Sequence, residues 1–139
     1  MFILSLLATS ILTISSVSAA TFTVATGNDE NTDNSSCSLT EAIENINDGA
    51  ATNTDCSPTG AYGTDDTINL PAGTITLTAD LANITKDITI TGQGKTSSVV
   101  DGGSQYGGFS ATSQITNFTA EDFTFQGSAS AAFLVCSTN

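Results

Sequence analysis

Apolar and polar positions alternate with two different periods along this chain. From Cys37 to Asn47 the text CSLTEAIENIN places Leu39, Ala42, Ile43 and Ile46 at i, i+3, i+4 and i+7, one apolar stripe of a short helix. Ser38 stands at the N-cap position and Glu41 three residues later completes a capping box. Gly49 offers a stop, so the predicted helix covers 38–48 with Glu44, Asn45 and Asn47 facing away from the core. A helix this short is unstable alone and must lie on other apolar surface.

Downstream the period becomes two. In DDTINLPAGTITLTADLANITKDITITGQG, Ile68, Leu70, Ile75, Leu77, Ile84, Ile88 and Ile90 alternate with Thr, Asn and Asp, as half-buried strands do. Turns are marked by Pro71-Ala72-Gly73 and Gly92-Gln93-Gly94. Shorter apolar pulses follow at Val99-Val100, Phe109, Ile115, Phe118, Phe123 with Phe125, and AAFLVC near the end. TFTV at Thr21–Val24 predicts one strand before the helix. Hairpins of a sandwich show longer runs and two-residue turns such as Asn-Gly. Very short strands with regular turns fit a β-solenoid, whose coils contribute thin parallel strands. The lone helix then reads as a cap that hides the apolar end of the first coil, where strand edges would otherwise template aggregation.

Composition narrows the function. The 139 residues suffice for one small domain, with 14 acidic side chains against Lys86 and Lys95, no histidine, and a net charge of -12. Nucleic acid is excluded as a partner, because phosphate binding needs clustered Lys and Arg. MFILSLLATSILTISSVSAA has the length and small-residue end of a signal peptide, with cleavage expected after Ala19 or Ala20, although no Lys or Arg follows Met1. The expected organisation is a signal peptide over 1–20, an N-terminal cap over 21–66 and first coils over 67–139. Export permits disulfides, and a link between Cys37 and Cys56 would close a loop of about 20 residues, a stabilisation of roughly 3 kcal/mol by the chain-entropy model. Cys136 is left over. Asn34, Asn83 and Asn117 begin sequons that only a glycosylating host would modify.

The heptapeptide Cys37-Ser38-Leu39-Thr40-Glu41-Ala42-Ile43, followed by DDTINLPAGTITLT, ITKDITITGQG, SSVVDGG and FTFQG, resembles the CSLREA-type N-terminal region of secreted right-handed parallel β-helix proteins, including polymorphic outer-membrane-protein-like adhesins. The likeness runs from about Thr21 to Gly127. Thr40 stands where the family pattern has arginine, so any ion pair of that arginine is absent. The resemblance implies an all-β, pectin-lyase-like right-handed parallel β-helix start with a capping helix, in an extracellular or cell-surface setting. It implies architecture rather than catalysis.

The residues themselves give little support to catalysis. A polysaccharide lyase commonly uses arginine or lysine as base with calcium on the acid group, and arginine is missing here. A glycosidase needs two carboxylates across the scissile bond; Asp65 and Asp66 are adjacent, and adjacent strand residues point to opposite faces. Asp80, Asp87 and Asp101 sit near predicted turns, where aspartate bonds backbone. Asp29, Glu30 and Asp33 could hold calcium, but their spacing is not that of an EF-hand, and a solvated loop is the expectation. Tyr62 and Tyr106 are the candidates for a carbohydrate platform. Thr74-Ile-Thr76-Leu-Thr78 and Thr89-Ile-Thr91 would form outward hydroxyl rows like those of ice-binding solenoids, yet the triplet lapses at Ser98-Val99-Val100.

The expected function is therefore a non-catalytic module that starts and seals an adhesin-like surface protein, with a host-surface or glycan ligand. No cofactor is expected, calcium excepted. A piece of a lyase- or glycosidase-like β-helix enzyme and a threonine-rich ice-binding solenoid are the alternatives. With no helix after AAFLVC, the solenoid is expected to be truncated, and its C-terminal end to meet further coils of a longer chain or a second copy.

Overall fold

The computed structural model describes residues 19–135, so the signal-peptide reading of 1–20 falls almost wholly outside the described residues, as does Cys136. Ten short strands and one helix follow in the order β1 (Thr21–Thr23), β2 (Gly27–Asn28), α1 (Leu39–Asp48), β3 (Asp66–Asn69), β4 (Gly73–Thr76), β5 (Ile88–Thr91), β6 (Ser98–Asp101), β7 (Phe109–Ala111), β8 (Phe118–Glu121), β9 (Thr124–Gln126) and β10 (Phe133–Val135). Every pairing between these strands is parallel.

The strands form three sheets. The first has the order β1-β3-β5-β8, the second β2-β4-β6-β9, and the third joins β7 to β10. From β5 onward the strands visit the three sheets in turn, β5, β6 and β7 and then β8, β9 and β10, whereas β1–β2 and β3–β4 visit only the first two. Ile84, within a predicted strand, makes only a single bridge to Ala111, which extends the third sheet without forming a strand of its own.

Register places like on like. Phe22, Ile68, Ile90 and Ala120 are aligned along the first sheet, and Ile75, Val100 and Phe125 along the second. The first three of the first column, with Ile75 and Val100, are buried in one core with Leu70, Leu77, Ile84, Ile88 and Phe109. The alternating threonines fall on the other face. Thr21, Thr67, Thr89 and Thr119 align as a column, whereas the next column reads Thr23, Asn69, Thr91 and Glu121. The parallel stack demands close backbone approach at its corners: a side chain at Gly92 would collide with the Asp122 carbonyl, and one at Gly108 with that of Ala132.

The helix occupies, in chain order, the place between second-sheet β2 and first-sheet β3 that third-sheet β7 takes between β6 and β8. Leu39, Ala42, Ile43 and Ile46 are buried in the same core as Phe22, Val24 and Ile68. Ser38 is its N-cap within a complete capping box, and Gly49 closes it in the left-handed conformation at φ 64°, donating to the Asn45 and Ile46 carbonyls. Asn47 ties its last turn to the segment around Ile84, donating to the Asn83 carbonyl at 2.8 Å and accepting from the Thr85 N–H at 2.9 Å.

Two expectations need correction. Asn45 does not face away but is wholly buried, because the loop after the helix folds back over that side and uses its amide. Asp29 is not solvated either. It is buried, and its carboxylate accepts from the Thr40 N–H at 3.0 Å and the Thr40 hydroxyl at 2.5 Å. A helix N-terminus leaves N–H groups without intrahelical partners, and Asp29 meets one of them.

Candidate metal centre

Three segments converge on the start of α1: the polar loop 29–36, residues 38–41, and the return loop 53–56. A disulfide joins Cys37 to Cys56 with Cα atoms 4.4 Å apart, so the first and last segments are held side by side. Ser38 Oγ accepts from the Glu41 N–H at 3.1 Å, and Glu41 Oε2 accepts from the Ser38 N–H at 2.9 Å. Ser38 Oγ also donates to the Glu30 carbonyl, which draws the polar loop onto the helix.

The return loop is tied to the polar loop through two aspartates. Asp33 accepts from the N–H and the hydroxyl of Thr54, each at 2.9 Å. Asp55 Oδ2 gathers the N–H groups of Asn34, Ser35 and Ser36 at 2.7, 3.0 and 3.3 Å. Ser35 adopts a positive φ of 74°, the local bend that helps turn these successive amides toward one acceptor.

This bracing brings Asp33, Glu41 and Asp55 together. One carboxylate oxygen from each lies within 4.8 Å of the other two. Glu41 is fully buried at 0 % exposure, and its Oε1 has no hydrogen-bond partner; the buried Asp55 Oδ1 has none either. The two carboxyls respond oppositely. Burial pushes the Glu41 pKa up, with the Asp55 and Glu30 charges adding to the rise. The backbone N–H of Asn34, followed by those of Ser36 and Ser35, holds Asp55 below its ordinary range. Asp33, Ser35, Thr54 and Asp55 line an open depression of about 450 Å³ beside the cluster. Convergent carboxylate oxygens with unused lone pairs are the donor set of a hard divalent cation.

Of the three calcium candidates read from the sequence, only Asp33 is in this cluster. Asp29 serves the helix N-terminus, and Glu30 accepts from the Asn34 side chain at 2.7 Å. Local sequence assigns Glu41 a capping role alone and gives Asp55 no role. The signal that could have found them is position: Asp55 adjoins Cys56 and Asp33 lies shortly before Cys37, so the disulfide carries both to the helix start.

The remaining candidates lie apart. Asn34, Asn83 and Asn117 are exposed. Asp80, Asp87 and Asp101 accept from the backbone N–H groups of Gly107, Thr116 and Gly103. Asp66 is buried at the start of β3, while Asp65 is exposed at φ 61°. Tyr62 is half-buried against Phe22, with ring centroids 6.0 Å apart, and Tyr106 is half-buried too, so neither offers an open platform. Lys86 lines a separate depression of about 240 Å³ with Asp87 and Thr116. No helix among the described residues is long and apolar enough to cross a membrane. Comparison with protein-family models, with curated proteins and with solved structures found no match to this chain.

Proposed function

We propose that this chain is the capped start of a secreted right-handed parallel β-helix of the CSLREA type, a non-catalytic module of an adhesin-like surface protein. The observation that carries the reading is the difference between the two ends of the parallel stacks. At the β1 and β2 end, α1 buries Leu39, Ile43 and Ile46 against the core under a disulfide. At the other end β8, β9 and β10 are the last strands of their sheets among the described residues, and Phe133 and Leu134 are 44 % and 51 % exposed. Phe133 lies stacked on Phe109, at 5.6 Å between centroids, and offers apolar surface to whatever strand comes next.

An end built this way is suited to further coils of a longer chain or, in their absence, to a second copy. The disulfide fits an oxidising, extracytoplasmic setting. A non-catalytic role is favoured by the chemistry at hand: the chain lacks histidine and arginine, and Glu41, a fully buried carboxylate, cannot reach a polymer in solvent.

The test is light scattering coupled to size-exclusion chromatography on the secreted chain. Concentration-dependent association that disappears in a Phe133→Ser/Leu134→Ser variant is the expected result. A wild type that stays monomeric at high concentration would count against the open end. Unsaturated products from polyuronate with calcium would replace the reading with the lyase alternative. The threonine column Thr21, Thr67, Thr89 and Thr119 favours ice binding as a second reading, but Asn69 and Glu121 interrupt its companion column. Thermal hysteresis decides between them.

A further inference from the structure

We propose that Asp33, Glu41 and Asp55 form a calcium site that locks the polar loop and the return loop to the first turn of α1. The inference does not depend on whether further coils follow. Three carboxylates whose oxygens lie within 4.8 Å repel one another when ionised. The chain offers little to offset this, since its only two cationic side chains are Lys86, in the other depression, and Lys95.

The buried oxygens point the same way. Polar atoms shut away from water are nearly always hydrogen-bonded, and leaving one unpaired is costly. Here two such atoms, Glu41 Oε1 and Asp55 Oδ1, belong to neighbouring carboxylates. In each, the other oxygen is already held by backbone N–H groups: Ser38 for Glu41, and Asn34, Ser35 and Ser36 for Asp55. Asp33 is held differently: Thr54 engages both its oxygens, the N–H on Oδ1 and the hydroxyl on Oδ2, and a carboxylate oxygen with one bond keeps a second lone pair for an ion. In Glu41 and Asp55, one oxygen fixed and the other free is the arrangement by which outer-shell bonds aim a metal ligand.

The chemistry selects the ion. All three donors are oxygens; the nearby sulfurs of Cys37 and Cys56 are taken up in the disulfide, and the chain has no imidazole, so soft and borderline metals are disfavoured. Calcium takes ligands at about 2.3–2.6 Å in flexible geometry, so two of its ligands stand up to about 5 Å apart. Magnesium needs about 2.0–2.1 Å and a near-ideal octahedron, a tighter cluster than 4.8 Å guarantees. The adjoining depression leaves room for waters and for the Ser35 and Thr54 oxygens to complete the shell. Three carboxylates on a surface-proximal site predict an affinity of about 10⁻⁴–10⁻³ M, the range of extracellular modules.

The experiment is calorimetric titration of the calcium-free chain with calcium chloride, together with thermal unfolding in calcium, in EGTA, and in magnesium at matched ionic strength. One ion per chain and a Tm that climbs with calcium are expected, because a ligand bound only by the native state stabilises it by mass action. Asp33→Asn and Asp55→Asn should each weaken binding by about tenfold or more. Glu41→Gln is the discriminating variant. Glutamine still completes the capping box, so the helix should persist while the calcium response disappears. Asp87→Asn, away from the cluster, should respond as wild type does. An unchanged Tm in calcium, an equal response to magnesium, or a Glu41→Gln variant that still answers to calcium would overturn the proposal.

Discussion

The backbone nitrogen of Ala20 donates to Asp66 Oδ1 at 2.8 Å, and both residues are buried. Asp66 occupies an inward position of β3, in register with Ile88 of β5, where an apolar residue would be the default. It is kept there by reaching back across the stack to Ala20 and to the Gly63 N–H at 3.2 Å. Cleavage of a leader after Ala19 would convert the Ala20 nitrogen into an ammonium facing this carboxylate, a charge-assisted bond stronger than the amide one. Cleavage after Ala20 would remove the donor. If the proposed leader is removed on export, intact mass spectrometry is expected to find the chain beginning at Ala20, and Asp66→Ala is expected to lose about 1.5–3 kcal/mol in denaturant unfolding. A secreted chain beginning at Thr21 with undiminished stability would contradict this.

Asn45 uses its whole hydrogen-bonding capacity beneath the return loop. Its Nδ2 donates to the Asn53 and Cys56 carbonyls at 2.9 and 3.0 Å, and its Oδ1 accepts from the Thr52 hydroxyl and the Asn53 N–H, both at 2.8 Å. Asn45→Leu keeps the bulk and removes all four bonds, leaving enclosed carbonyls unpaired; at about 1–3 kcal/mol per orphaned group, a loss of roughly 3 kcal/mol is expected. Replacing Cys37 and Cys56 with alanine should cost about 3 kcal/mol by loop entropy. Both changes release the same loop, so the triple variant should lose less than their sum. Urea midpoints at constant m-value measure each quantity.

Acid sensitivity should trace to the turn aspartates. Asp87 accepts from the Thr116 hydroxyl and from the N–H groups of Thr116 and Asn117, and these bonds hold its carboxyl below the usual aspartate range. Asp101 is lowered in the same direction by the Gln126 side chain and the Gly103 N–H. On acidification the unfolded chain takes up protons first at these groups, so their contribution is full above the ordinary carboxylate pKa and lost as pH falls below it. Asp29 and Glu41, raised chiefly by burial, act oppositely: the folded chain protonates first, which favours it on mild acidification. Asp87→Asn should therefore lower Tm at neutral pH, and its deficit against wild type should close as pH falls below the ordinary aspartate value of 3.8. A deficit constant through that fall would assign the effect to packing.

Much of the architecture was legible along the chain, because it depends on neighbours in sequence. The capping box of Ser38 and Glu41, the stripe of Leu39, Ala42, Ile43 and Ile46, and the stop at Gly49 act within one helix. The alternation of Ile68, Leu70, Ile75 and Leu77 with polar residues reflects the two-residue repeat of a strand. The parallel sense of the pairings accords with very short strands separated by regular turns, in place of the longer runs that hairpins show.

What the tertiary structure decided concerns residues whose partners are remote. Glu41 is a capping residue by local reading and a buried carboxylate beside Asp33 and Asp55 only because the disulfide folds loop 53–56 against loop 29–36. Asn45 and Asp29 have solvent-facing character in sequence, yet each is buried by the groups it serves, carbonyls in one case and a helix N-terminus in the other. Ile84 has the pattern of a strand residue, but β7 lies beside it at one position alone. A hydrophobic period fixes which side of an element turns inward. Which polar group is enclosed with it depends on the return path of the chain, and the energy of a buried hydrogen bond or charge belongs to that meeting rather than to either residue.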